Sequence, residues 1–175
     1  GSGIGAGANS NPEINRIFGQ LLTWMQEKKK DVFLAITSNN ISKLEPTLYR
    51  DGRISERFFL GFIKNEEELR SILDVHIKIR LKDKVDEVVK PLDYKLIMKK
   101  IDRMVARYRG EEYAGYSGAN IEALVEKVLE KRYFDNQKDL ETRDFLYMLN
   151  FVRPQHGLLI KEMLEKAFEI EALDA

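Results

Sequence analysis

The sequence predicts an α/β segment followed by an all-helical one, on the evidence of two apolar runs and a change of periodicity after them. Residues 32–37 (VFLAIT) and 58–63 (FFLGFI) are short and apolar with no polar alternation, the pattern of parallel strands covered on both faces. Beyond Lys64 such runs stop, and apolar residues recur at three- and four-residue spacing, as on amphipathic helices. The expected organisation is a glycine-rich segment over 1–13, an α/β portion over 14–64 holding two buried parallel strands, and helices over 65–175.

Each element has its own local warrant. Residues 1–11 are almost all Gly, Ser, Ala and Asn, which lose much conformational entropy on ordering and have little to bury. They fit an appended end, a cleaved end or a native glycine-rich loop equally. Ile14, Ile17, Phe18, Leu21, Leu22 and Met25 share one helical face, and Lys28–Lys30 closes that helix with the charge its dipole favours. Asn65 is a suitable N-cap, with acidic residues 66–68 in the first turn and Leu69, Ile72, Leu73, His76 and Ile77 forming a stripe. Residues 78–90 alternate charged and branched types and read as a helix end or loop. Pro91 and Asp93 open a further helix carrying Ile97, Ile101 and Met104, and residues 110–116 break it. Ser117 caps a helix with Ile121, Leu124, Val125 and Val128 inward. A shorter one holds Phe145 and Leu149 and stops at Pro154, and the last holds Ile160, Met163, Leu164 and Ala167.

Composition narrows the function classes. The 175 residues carry 29 basic and 29 acidic side chains, so no global field recruits nucleic acid or an anionic membrane. Cysteine is absent and there are two histidines, His76 and His156, which removes thiolate chemistry and gives a metal site little support. Neither apolar run approaches the length of a bilayer span, and no signal peptide pattern opens the chain. The expectation is a soluble cytoplasmic protein with no metal ligands, no membrane partner and no nucleic acid.

Three further stretches carry a resemblance. Residues 33–53 run from Thr37, Ser38 and Asn39 at a strand end, through Leu44-x-Pro46-x-Leu48, to Arg50, Gly52 and Arg53. This resembles the sensor-1 to arginine-finger segment of AAA-type ATPases. Residues 67–76 resemble the first lid helix of that family, and Gly115-Tyr-Ser-Gly118-Ala119-Asn120-Ile resembles its sensor-2 segment. The helix around Trp24 is most similar to AAA proteins of poorly known role in cyanobacteria and plastids. The resemblance implies the later part of a P-loop α/β subdomain followed by a helical lid. It also implies ATP and magnesium as ligands of the complete protein, and assembly into a homo-oligomeric ring, commonly a hexamer, acting on a partner the sequence does not identify.

The departures are equally specific. No phosphate loop of the form Gly-x-x-x-x-Gly-Lys-(Ser/Thr) occurs, so the chain is expected to be the portion after the Walker motifs, inactive in hydrolysis and a weak nucleotide binder alone. Position 120 is Asn where the family usually has Asp, and the link over 82–112 is longer than its counterpart.

Roles then follow from the resemblance. Asn39 is implied as sensor 1, an amide able to orient water or phosphate without adding charge; the plain alternative is a strand-end cap. Arg50 and Arg53 are implied as arginine fingers acting on a neighbouring subunit, for which a planar, permanently charged guanidinium is suited; the alternative is two solvated turn residues. Ile72, His76, Gly118 and Ala119 are implied as lining the adenine and ribose side of the pocket. Against this, His76 lies on an apolar stripe and could simply fill core, and Gly118 and Ala119 could simply form a capped first turn. A competing class is a non-enzymatic adaptor that docks on a true ATPase. Two strands lacking sheet neighbours would also expose open edges, so self-association of the isolated chain is expected.

Overall fold

A computed structural model describes residues 12–27, 32–38, 54–108, 113–169 and 173–174. The chain falls into two compact units, Gly1–Arg57 and Phe58–Ala175. In the first unit α1 spans Pro12–Glu27. It opens on a proline, whose missing N–H costs nothing in a first turn, and Thr23 Oγ1 donates back to the Gly19 carbonyl at 3.0 Å.

Residues 32–38 depart from the sequence expectation. They form no regular secondary structure and are exposed, Phe33 to 95%. A strand exists only where a neighbour takes its main-chain hydrogen bonds, and no described strand lies beside this run. The parallel pair that does form is β1 (Phe58–Phe59) with β2 (Leu173–Asp174), Phe58 opposite Leu173 and Phe59 opposite Asp174. Of the two buried parallel strands expected, only part of the second run forms a strand, in a two-residue ladder with residues 173–174. The second run is not uniformly buried either: Ile63 is inside, whereas Phe58 and Leu60 stand 64% and 82% exposed.

The remainder of the second unit is helical. Helix α2 (Glu66–Leu81) is capped by Asn65, whose side chain accepts from the Glu68 N–H at 2.9 Å while its own amide donates to Glu68 Oε1. The helix runs on to Leu81 and passes through a tight turn at 82–84 into α3 (Val85–Val88), so most of the 78–90 stretch is more ordered than its mixed composition predicts. Helix α4 (Tyr94–Val105) is capped by Asp93, which accepts from the Leu96 N–H. Helices α5 (Gly118–Phe134), α6 (Thr142–Met148) and α7 (Leu158–Glu169) follow.

The core lies where α2, α4, α5 and α6 meet. Leu69, Leu73, Ile97, Ile121, Leu124, Phe145 and Leu149 are fully buried there, on the faces their periodicity assigns. Arg80 at the end of α2 bridges Glu122 at 3.0 Å and Glu126 at 2.5 Å on α5, and these two hydrogen bonds raise the pKa of its guanidinium further. A surface pairing of this kind adds little energy but fixes the register of two helices. Among the described residues, no helix is long and apolar enough to cross a membrane, and no cluster of His, Asp and Glu could hold a metal ion. Truncation of the central ring by Phe145→Ala is expected to lower unfolding free energy by about 3–5 kcal/mol, measured by urea denaturation.

Candidate functional site

The site begins with two helix segments. Ile72 and His76 stand four residues apart on α2, hence on one face. Ile72 packs against the core and is half-buried. His76 is half-buried as well, and its Nδ1 is enclosed without any hydrogen-bond partner. Such a buried polar atom without a partner costs free energy unless another group satisfies it. Gly118 and Ala119 are the first two residues of α5, where main-chain N–H groups lack helical partners. A side chain built on Gly118 would meet nothing within 4 Å, so packing inside the chain does not require glycine there. Ala119 is exposed.

Two links hold these segments in relation. The Ile63 N–H donates to the Tyr116 carbonyl at 2.8 Å, just before both helices begin. Arg80 meets Glu122 and Glu126 beyond them. The starts of the two helices therefore lie close together, and along the sequence Ile72 and His76 on one and Gly118 and Ala119 on the other fall between the two links.

The first turn of α5 is itself anchored on the segment over 152–155. The Tyr116 ring is fully buried, and its hydroxyl donates to the Val152 carbonyl at 2.7 Å. Gly115 exchanges two main-chain hydrogen bonds with Gln155, at 2.9 and 2.8 Å. Gly115 must be glycine, because a Cβ there would fall 2.3 Å from Phe62 Cγ and 2.7 Å from Phe62 Cβ, too near the Phe62 backbone for the ring to swing clear. Asn120 closes the arrangement: Oδ1 accepts from the Ser117 N–H and hydroxyl at 2.9 and 3.0 Å, and Nδ2 donates to the Arg153 carbonyl at 3.0 Å.

Open space before Gly118 and the exposure of Ala119 leave the main chain of this first turn accessible to a ligand. Asn39, Arg50 and Arg53 lie outside the described residues. Tyr116, Asn120 and the 152–155 segment are the parts sequence reasoning missed. Position 120 was visible only as a departure from Asp, and nothing in the spacing links Tyr116 to a carbonyl 36 residues away.

Comparison with known proteins gives a consistent result. Residues 3–62 match the family described as "ATPase family associated with various cellular activities (AAA)". The chain is similar to the uncharacterized AAA domain-containing protein ycf46 of Guillardia theta, at 32% identity over 147 residues, 83% of this chain and 25% of that protein. The protein of the same name from Gracilaria tenuistipitata var. liui is 34% identical over 124 residues, 70% of this chain and 22% of the relative. That from Trieres chinensis is 29% identical over 143 residues, 80% and 24% respectively. The chain thus spans about a quarter of the length of these curated relatives.

Two phenols, the buried Tyr116 and the half-buried Tyr94, make the fold sensitive to alkali. Burial pushes Tyr116 up to about 12, and burial with the hydrogen bond to Asp74 does the same for Tyr94. An unfolded tyrosine releases its proton near 10, so the stability these groups provide is complete below pH ~10 and is lost as pH rises towards ~12. Thermal melts between pH 9 and 12 are expected to fall steeply for the parent chain and less steeply for Tyr116→Phe.

Proposed function

We infer that this chain, which belongs to the AAA family of ATPases, supplies the sensors, the arginine fingers and the base-facing half of the nucleotide site of an ATP-hydrolysing AAA machine. What supports the base-facing assignment most is the accessible first turn of α5, where a side chain on Gly118 would meet nothing within 4 Å and Ala119 is exposed. In this reading Ile72 and the half-buried ring of His76, four residues apart on one face of α2, pack against the base and ribose. Gly118 and Ala119 present a bare first turn that the nucleotide approaches closely.

Asn39 orients water or the terminal phosphate. Arg50 and Arg53 act on the nucleotide of the neighbouring subunit, where a guanidinium stabilises charge on the transferring phosphoryl group. Magnesium, when bound, would supply charge neutralisation at the phosphates. The acting unit is a homo-oligomeric ring, commonly hexameric in this family, that does work on a protein or other partner.

Two substitutions in the complete protein separate binding from turnover. Ala119→Trp is expected to weaken binding of a fluorescent adenine nucleotide by tenfold or more, on the order of the loss of one good packing contact, with an unchanged melting temperature. Arg53→Ala is expected to leave that binding intact and to lower turnover by about 10³-fold. Wild-type affinity in the first variant removes the pocket assignment, and wild-type turnover in the second removes the finger.

A further inference from the structure

We propose that Asn120 is a positioning residue: its carboxamide holds the 152–157 strap on the first turn of α5, so that the strap, and α7 behind it, follow that turn. A carboxamide has one accepting end and one donating end, and Asn120 uses both. Its oxygen takes the Ser117 N–H and hydroxyl, which fixes the start of α5. Its nitrogen reaches across 33 positions to the Arg153 carbonyl. Aspartate, the same size, would keep the accepting end, but it would lose the donor and set a carboxylate against a carbonyl oxygen.

The rest of the strap makes this bond consequential. Val152 takes the Tyr116 hydroxyl, Gln155 pairs with Gly115, and the His156 ring lies 4.7 Å from that of Tyr108. The strap then turns through Gly157, whose φ of +107° is one that glycine adopts freely, directly into α7. Ile160, Met163 and Leu164 of α7 border a cavity of about 70 Å³ together with Ser117 and Gln155. One edge of the strap is thus fastened to 115–120, and its far end sets where α7 lies. A displacement of the first turn of α5 is passed to α7 through Asn120 and the Gly115–Gln155 pair.

Hydrogen exchange read by mass spectrometry on the 175-residue chain tests the joint. Asn120→Asp is expected to speed exchange over 152–157 by about tenfold, the scale of one lost hydrogen bond, while residues 121–130 keep parental protection because the accepting end survives. Asn120→Ala is expected to speed both stretches. A residue that only caps α5 would leave 152–157 unmoved in the aspartate variant, and that result overturns the proposal.

What the joint reports rests on the proposed function. Adenine nucleotide bound to the complete protein is expected to slow exchange over 152–157 in the parent and not in Asn120→Asp. Absence of nucleotide binding by the parent would remove the proposed function and leave the exchange difference between the unliganded variants as evidence for the joint. Equal exchange in the unliganded variants would remove the joint whether or not nucleotide binds.

Discussion

The second unit is organised around the buried hydroxyl of Tyr116 and the carbonyl of Val152. A phenol taken wholly out of water needs a partner for its O–H, and here the partner is a main-chain oxygen 36 residues further on. Once that bond is made, its neighbours have little freedom. The Tyr116 carbonyl takes the Ile63 N–H, and Gly115, one residue back, pairs with Gln155. Three segments distant in sequence, ending near residues 63, 116 and 155, converge on Gly115 and Tyr116. The starts of α2 and α5 and the approach to α7 all inherit their positions from it.

This convergence explains why glycine and asparagine occupy two of the surrounding positions. Gly115 lets Phe62 lie directly on the main chain, so the strand-side aromatic run and the helical unit share a close contact. Asn120 must accept on one side and donate on the other, a combination that no ionised carboxylate provides. The same geometry leaves Gly118 without a packing role of its own and His76 with an enclosed, partnerless nitrogen.

The chemistry divides along the same line. In the proposed reading the helical unit meets base and sugar with shape and a bare helix start. The groups that act on phosphate in that reading are the amide of Asn39 and the guanidinium groups of Arg50 and Arg53, in the segment matched by the family. Packing contacts of the first kind set affinity, whereas guanidinium groups aimed at developing charge set rate. Binding and turnover are therefore separable by substitution in different parts of the chain.

The sequence by itself determined the helices and their inward faces. Asn65, Asp93 and Ser117 stand where helices begin, and Leu69, Leu73, Ile97, Ile101, Ile121 and Leu124 are buried where period alone puts them. It also determined the family, because ordered motifs survive in the linear text. Caps and periods are local, set by bonds between residues three or four apart. Only the tertiary structure decided which strands pair, since an apolar run such as 32–37 states a preference for burial and says nothing of its neighbour. In the fold that preference is unmet at Phe33, and β1 pairs with the chain's end instead. The roles of Tyr116, Asn120 and the strap were equally beyond the sequence. Each rests on a hydrogen bond to a main-chain carbonyl more than thirty residues away, and every residue carries such a carbonyl, so no spacing or residue type marks the one that will be used.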